Sequence, residues 1–366
     1  MKAVFALLLV LHGAIHALGF LKAFQFSEVK QLNLPISKPM GGIWLLVTIL
    51  FFISAILYLY KNENWPLMAM ISVLISQVII VLSWQDAKWG TILNGIIILV
   101  ALQGYAEARF EKLTRLESMN LLASCKPISS EVITEERIAS LPAIVQQWMR
   151  YSGVIGKPEV VSVRLRQTGE MRTKPTGKWM PFRASQYFDL SNPAFVWVTS
   201  VDALPFVSLN GRDKLVHGEG TMTIKLASIF NVVDEHPNEK LNSGTMLRFL
   251  GEMCWFPSAA LNNYIQWKQL DATSALATFT IDGSSVSGIF TFTETGRLLS
   301  FEADRYYGSG ETATLKKWYI EPLELKSFEG YKVPSKCEVT WKLDEGEFNW
   351  LTLEITAVEY NVFQLY

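Results

Sequence analysis

Residues 39–60 read PMGGIWLLVTILFFISAILYLY, a stretch without a formal charge. A helix needs about 17–25 mainly apolar residues to cross the hydrocarbon of a bilayer. Three more stretches have this character: Ala3–Leu21, Asn64–Gln85 and Trp89–Ala106. A helix is the open structure that satisfies its own backbone in lipid, so residues 1–106 read as a four-helix transmembrane bundle. Trp44, Trp65, Trp84 and Trp89 fall at or near the segment ends, where an indole favours the headgroup layer. Pro66 suits the first turn of the third helix, where its missing N–H has no partner to lose. The connections Lys61–Asn64 and Asp86–Lys88 are so short that neighbouring helices must run antiparallel, giving an up-down bundle.

The first stretch opens with Met1-Lys2 and is apolar, as a secretory signal would be. It is long, however, contains His12 and His16, and lacks an Ala-x-Ala site before Lys22, so it reads as a retained helix. Leu122-Ala123-Ser124-Cys125 has the form of a lipoprotein cleavage box. The charged run Glu107–Glu117 separates it from the nearest apolar segment, and the match reads as chance.

Charge divides the chain unevenly. Of 33 basic and 34 acidic side chains, only nine precede Glu107. The membrane part is therefore about +3 and the remainder about −4. Nucleic-acid binding, which needs a concentrated basic face, is not expected. With the N-terminus inside, Lys2, Lys61, Arg109, Lys112 and Arg115 face Lys22, Lys30, Lys38 and Lys88 across the membrane. That small excess of inner positive charge, with an even helix number, puts the C-terminal domain in the cytoplasm. The three cysteines, Cys125, Cys254 and Cys337, are scattered and form no CxxC pair, so neither a disulfide framework nor a zinc site is expected.

His12 and His16 stand four residues apart and share a helix face. Ionisable groups inside a membrane are functional candidates, and two imidazoles so spaced can share a metal or contact a haem or quinone. The plainer reading is that neutral imidazoles hydrogen-bond across the bundle, with Gly13 and Gly19 permitting close approach. No Asp, Glu or Cys in the four stretches offers a third ligand, and no cofactor is expected. Gln77 and Asn94 read as interhelical hydrogen-bonding groups.

Glu107–Ser124 keeps helical spacing and reads as a stalk within a linker over 107–133, ahead of a soluble domain over 134–366. Ser140 is a cap candidate for a helix at about 140–152, with Pro142 in its first turn and Gly153 at its end. From Glu159 the period becomes two. Val161, Val163 and Leu165 alternate with polar neighbours, as do Met222, Ile224 and Leu226, then Ala277, Phe279 and Ile281. Val339, Trp341 and Leu343 continue the pattern, followed by Leu351, Leu353, Ile355 and Ala357. One apolar and one wet face per strand is the antiparallel signature. Asp282-Gly283, Thr295-Gly296, Gly330 and Glu345-Gly346 supply turns between runs. About ten strands without βαβ alternation predict an α+β chain: a transmembrane helical bundle, then a curved antiparallel sheet or half-barrel.

Ser243–Asn263 interrupts the strands and reads as a lid helix, capped by Ser243 and divided by Pro257. Arg248 and Glu252 are spaced i, i+4 on it and can pair. Trp148, Trp179, Trp197, Trp255, Trp267, Trp318, Trp341 and Trp350 read mainly as core, with several free to line an apolar pocket.

The soluble part resembles a family of bacterial proteins with no assigned activity. Leu141-Pro142, Tyr151-Ser152-Gly153, His217-Gly218-Glu219-Gly220, Arg248-Phe249-Leu250-Gly251-Glu252, Trp255-Phe256-Pro257 and Trp267 carry the resemblance over residues 135–360. In strand pattern alone it is similar to the lipoprotein-localisation carriers, whose half-barrel holds acyl chains under a helical lid. The bundle has a general likeness to small DoxX-type membrane proteins.

Three functions are compatible with these patterns. The leading expectation is a membrane-tethered β domain, in contact with membrane lipids, that binds an apolar or lipidic molecule near the bilayer. Arg248, Glu252, Trp255, Trp267, His217, Glu219 and Arg305 are the candidate ligand-binding residues. An enzyme using Arg248 and Glu252 with His217, Glu219, Asp213, Asp304 and Arg305 is the alternative, although no GxSxG, HExxH or phosphate-binding loop is present. The third is a structural or sensing protein whose bundle forms oligomers and whose domain contacts a protein partner.

Overall fold

Helices stand where the apolar stretches lie. The computed structural model carries α1 (Lys2–Ala23), α2 (Lys38–Leu59), α3 (Trp65–Leu82), a single turn α4 (Trp84–Ala87) and α5 (Gly90–Ser124). It describes residues 2–128, 131–204, 207–308 and 310–366, in two compact units, 1–111 and 112–366. The helices α1, α2, α3 and α5 are each long and apolar enough to cross a membrane.

The helical unit has its polarity inverted. Val4, Leu7, Leu74, Val78 and Leu99 are exposed, while His12, His16, Ser54, Ser72, Ser76 and Asn94 are buried. Small residues set the helix spacing: a Cβ on Gly19 would stand 2.2 Å from the Trp44 ring, and one on Gly41 2.3 Å from the Ala23 methyl. Ser37 starts α2, its hydroxyl accepting from Met40 N at 3.4 Å, with Pro39 in the first turn. No proline falls between Gly90 and Ser124, so the expected fourth helix and stalk form one helix of 35 residues, roughly 50 Å long.

After α6 (Glu135–Ile138) and α7 (Ala143–Tyr151) come β1 (Ser162–Met171), β2 (Met180–Asp189), β3 (Ala194–Leu204), β4 (Val207–Val216), β5 (Glu219–Leu226) and β6 (Phe230–Glu235). Then α8 (Glu239–Glu252) and two short 3-10 turns lead into the second run. It comprises β7 (Ile265–Gln269), β8 (Ser274–Ile281), β9 (Ser284–Phe292), β10 (Leu298–Tyr307), β11 (Thr314–Phe328), β12 (Tyr331–Leu343) and β13 (Gly346–Tyr360).

Both runs are antiparallel meanders, joined where β1 pairs with β13, so one sheet has the order β6-β5-β4-β3-β2-β1-β13-β12-β11-β10-β9-β8-β7. The edges β6 and β7 do not pair with each other, leaving a half-barrel, and α8 bridges them in sequence across the inner face. The described residues form thirteen strands, against about ten expected. The outer face of β2 and β3 is also covered: Tyr187, Ala194 and Val196 are buried with Leu121 and Leu122 of α5. A strand buried on both faces shows no simple alternation.

Two-residue turns fix the register. His217-Gly218, Asp282-Gly283 and Glu329-Gly330 all have both residues at positive φ, the geometry that matches the twist of a tight hairpin. The lid helix starts four residues earlier than expected, because Asn238 is its cap, accepting from Leu241 N at 3.0 Å. It ends at Glu252, and Met253–Trp255 and Pro257–Leu261 follow as 3-10 turns rather than as α-helix. Pro142, rather than Ser140, occupies the cap position of α7, and Gly153 follows its end at φ 73°.

Candidate ligand-binding cavity

Alternation along β1, β2 and β4 turns Val163, Leu165 and Gln167, Phe182, Ala184 and Gln186, and Gly211, Asp213 and Leu215 to the inner face. Between this face and α8 lies a cavity of about 260 Å³. Met171, Met180, Phe182, Val201, Leu209, Met222 and Ile224 form one wall; Trp318, Ile320, Val339, Trp350, Leu351 and Leu353 form another. Gly251, Cys254 and Trp255 contribute from α8 and the turn after it. Burial pushes the Cys337 thiol up to about 12 and raises Cys254 as well, so both thiols in this wall stay protonated.

A chain of polar groups enters this apolar space. Arg248 Nη1 donates to Asp213 Oδ2 at 2.5 Å. Its Nε and Nη2 donate to Glu252 Oε1 at 3.0 and 2.8 Å. Gln186 Nε2 donates to the other Glu252 oxygen at 2.7 Å. Gln167 Nε2 lies 3.4 Å from Gln186 Oε1, and Trp197 Nε1 donates to Gln167 Oε1 at 2.8 Å. The Arg248 guanidinium also lies over the Trp197 ring, 4.9 Å from its centroid. Burial raises the Glu252 carboxyl above the usual range, more than Arg248 and Gln186 lower it. Burial depresses Arg248, yet the charges of Glu252 and Asp213 outweigh it and leave the guanidinium raised.

Arg305 of β10 reaches the same cavity. Its guanidinium lies 4.6 Å from the Trp318 ring centroid and 5.7 Å from that of Trp341. Burial, then the nearby Arg248 charge, lowers it to about 10.

Of the residues expected from the sequence, Arg248, Glu252, Trp255 and Arg305 therefore meet at one cavity. The structure does not bring the other three there. His217 and Glu219 are exposed in the β4–β5 hairpin, and His217 borders a separate hollow with Glu117 and Lys214. Trp267 donates to Ala260 O at 3.1 Å and packs on Phe290 and Trp148. Asp304 is exposed and pairs with Lys317 at 3.2 Å. Trp197, one of the tryptophans expected to line a pocket, and the glutamines Gln167 and Gln186, not expected from the sequence, complete the chain of contacts. The signal for the glutamines was present: a glutamine at an inward position of an otherwise apolar alternation.

In the helical unit, His12 Nε2 meets Asn94 Oδ1 at 2.9 Å and His16 Nε2 meets Ser76 Oγ at 2.8 Å. Asn94 Nδ2 donates on to Gln77 Oε1 at 3.0 Å. Among the described residues no third His, Cys, Asp or Glu joins the pair as a metal-binding group.

The model of a family of unknown function, DUF6544, matches residues 131–353. The chain belongs to the DUF6544 family. That is the family of unassigned activity expected from the sequence, and the match takes in the lid and the half-barrel as far as the middle of β13. No curated protein matches the chain. Among solved structures it is similar to the LolA superfamily protein NE2245 from Nitrosomonas europaea, with 10% identity and a TM-score of 0.35 over 60% of this chain and 94% of that one. A DUF1329 family protein from Desulfovibrio piger ATCC 29098 is similar at 11% identity and a TM-score of 0.34, over 61% of this chain and 94% of the other.

The structure gives a reason for the stretch His217-Gly218-Glu219-Gly220. His217 and Gly218 make the turn. Gly220 N donates to Asn242 Oδ1 of α8 at 2.8 Å, and a Cβ on Gly220 would lie 2.2 Å from Thr245 Oγ1. The stretch seats the lid helix against the sheet.

Proposed function

We propose that this protein is held in a membrane by its helical unit and that its half-barrel takes up an apolar or lipidic molecule near the bilayer. The observation that carries the reading is the cavity itself, between α8 and the inner face, with two largely apolar walls and a few polar groups. Such a concave apolar site with a few convergent polar groups is the usual form of a small-ligand site. The inverted polarity of the helical unit supports the membrane part. A surface of exposed Val and Leu, with His, Ser and Asn buried among the apolar core residues, is what lipid solvates. The basic-residue bias favours the cytoplasm for the half-barrel, and reporter fusions at the C-terminus test that side.

Native mass spectrometry of the full chain released from nanodiscs tests the binding. An adduct of lipid mass on the wild type, lost in Ile224→Trp, which fills the cavity, supports it. A chain that carries no adduct and whose Trp fluorescence ignores added lipids overturns it.

One observation favours a catalytic reading instead: Asp213, Arg248, Glu252 and Arg305 are gathered at one cavity, with Glu252 shifted toward the protonated form at which it can act as an acid. Every oxygen of Glu252 is already engaged by Arg248 or Gln186, as in a structural clamp. Turnover of a lipid ester by the wild type and its loss in Glu252→Gln would favour catalysis.

A further inference from the structure

Arg248 and Arg305 face the same cavity but differ in one respect. Arg248 is neutralised by two carboxylates. The Arg305 guanidinium forms no direct ion pair or hydrogen bond with any other described residue; the Asp213 and Glu252 carboxylates act on it only through space, and the faces of Trp318 and Trp341 lie against it. It also lies beside Gly244 of α8, where a Cβ would stand 3.4 Å from its Nε, in ordinary contact.

An unpaired cation in a largely apolar site is costly, and a guanidinium offers a planar fork of N–H donors matched to an anionic head. The cavity has further unused donors. The indole N–H groups of Trp255, Trp318 and Trp350 are buried without an acceptor, and all three rings line this space. The only cavity carboxylate oxygen left without a partner among the described residues is Asp213 Oδ1, so donors exceed acceptors. The opposite wall, with Met171, Met180 and Met222, is made of flexible apolar side chains that adapt to a hydrocarbon chain.

We infer that the occupant of the cavity is a single-chain amphiphile with an anionic oxygen head, a carboxylate or phosphate, that head lying on Arg305 and its chain along the methionine wall. This rests on the reading of the cavity as an apolar-ligand site and names the chemistry of its ligand.

The test uses the full chain in nanodiscs of zwitterionic phospholipid and a bromine-labelled probe that quenches tryptophan. 11-Bromoundecanoate, 11-bromoundecanol and the corresponding trimethylammonium compound are titrated into the wild type, Arg305→Gln and Arg305→Lys. The expected result is that the carboxylate binds the wild type about tenfold or more tightly than the alcohol, the range of one charge-assisted contact. The ammonium compound is expected to bind weakest. Arg305→Gln should remove the preference for the carboxylate while alcohol binding persists, and Arg305→Lys should keep part of it.

Unlabelled dodecanoate and dodecyl phosphate then compete for the same site, and the stronger competitor identifies the head. Equal binding of the acid and the alcohol to the wild type overturns the inference and leaves the apolar site standing. Absence of saturable quenching by any probe overturns the apolar site as well. Should Arg305→Gln fail to fold, the head-group comparison on the wild type and the Arg305→Lys variant decides alone.

Discussion

Arg248, on the lid helix, and Asp213, on strand β4, meet at 2.5 Å with Asp213 almost wholly buried. This contact ties the lid to the sheet at a point where α8 otherwise offers apolar packing. It also sets the cost of losing either partner. Replacing Asp213 by Ala leaves the buried guanidinium with Glu252 alone, and breaking a buried pair typically costs about 3–5 kcal/mol. The thermal midpoint of the half-barrel, followed by near-ultraviolet circular dichroism of the full chain, is expected to fall sharply in Asp213→Ala. Replacing Arg248, Asp213 and Glu252 together by Met, Leu and Gln should recover most of the loss. If the single variant melts with the wild type, the pair does not hold the lid.

Glu252 gives the half-barrel a specific pH response. Burial raises its folded pKa above the ordinary carboxyl value of 4.5, so the folded state holds this proton more tightly than the unfolded chain does. Between the unfolded value and the raised folded value, the folded state binds more protons, and stability falls as pH increases. The contribution is favourable at the acidic end of that window and lost above it. Thermal midpoints measured upward from pH 4.5 should therefore decline more in the wild type than in Glu252→Gln. Parallel curves for the two proteins would mean that the carboxyl titrates normally.

Much of this architecture was legible in the residues, for identifiable reasons. The four apolar stretches were long and free of charge, so the helices were read from length alone. The half-barrel was read from period-two alternation in β1, β5, β8, β12 and β13, each with one solvated face. The strands β2 and β3 were harder to read, because α5 covers their outer side at Tyr187 and Val196 and removes the polar half of the pattern. The lid helix was visible, but its start was not: Ser243 and Asn238 are both good caps, and only tertiary contacts choose between them. At the site, Arg248 and Glu252 were linked by helical spacing. Asp213 and Gln186 join them from strands distant in sequence, and no spacing rule connects those positions. His217 and Glu219 stand in a compact Gly-rich stretch that reads as a site, yet their place is a hairpin turn outside the cavity. Residue types alone do not distinguish a ligand contact from a turn that seats a helix.

In the helical unit, the approach of α1 to α2 depends on Gly19. A side chain there would enter the Trp44 ring, 2.2 Å from its nearest atom. Gly19→Ile must push the two helices apart or expel the indole, and overpacking of this kind costs about 1–3 kcal/mol. The purified variant is expected to lose monodispersity at a lower temperature than the wild type, read by size-exclusion chromatography after a temperature series. Gly42, where a Cβ would meet nothing within 4 Å, is the matched control, and Gly42→Ala should behave as the wild type. Equal behaviour of both variants would remove the role assigned to Gly19.

The turn stretch separates architecture from ligand contact most directly. Gly220 faces α8 so closely that a Cβ would stand 2.2 Å from Thr245 Oγ1 and 3.1 Å from the Leu241 carbonyl oxygen. The hydroxyl can rotate, but it already donates to that carbonyl at 2.6 Å, and the helix backbone cannot move without loosening the Arg248–Asp213 contact. Gly220→Val should therefore lower the thermal midpoint, by about 1–3 kcal/mol of stability, and weaken uptake of an amphiphile by shifting the lid. His217→Asn keeps a residue that tolerates positive φ and touches nothing in the cavity, so stability and uptake should both stay at wild-type levels. Loss of uptake in His217→Asn with an unchanged melting curve would instead place the histidine in contact with the ligand, and the division between turn and site drawn from the structure would fail.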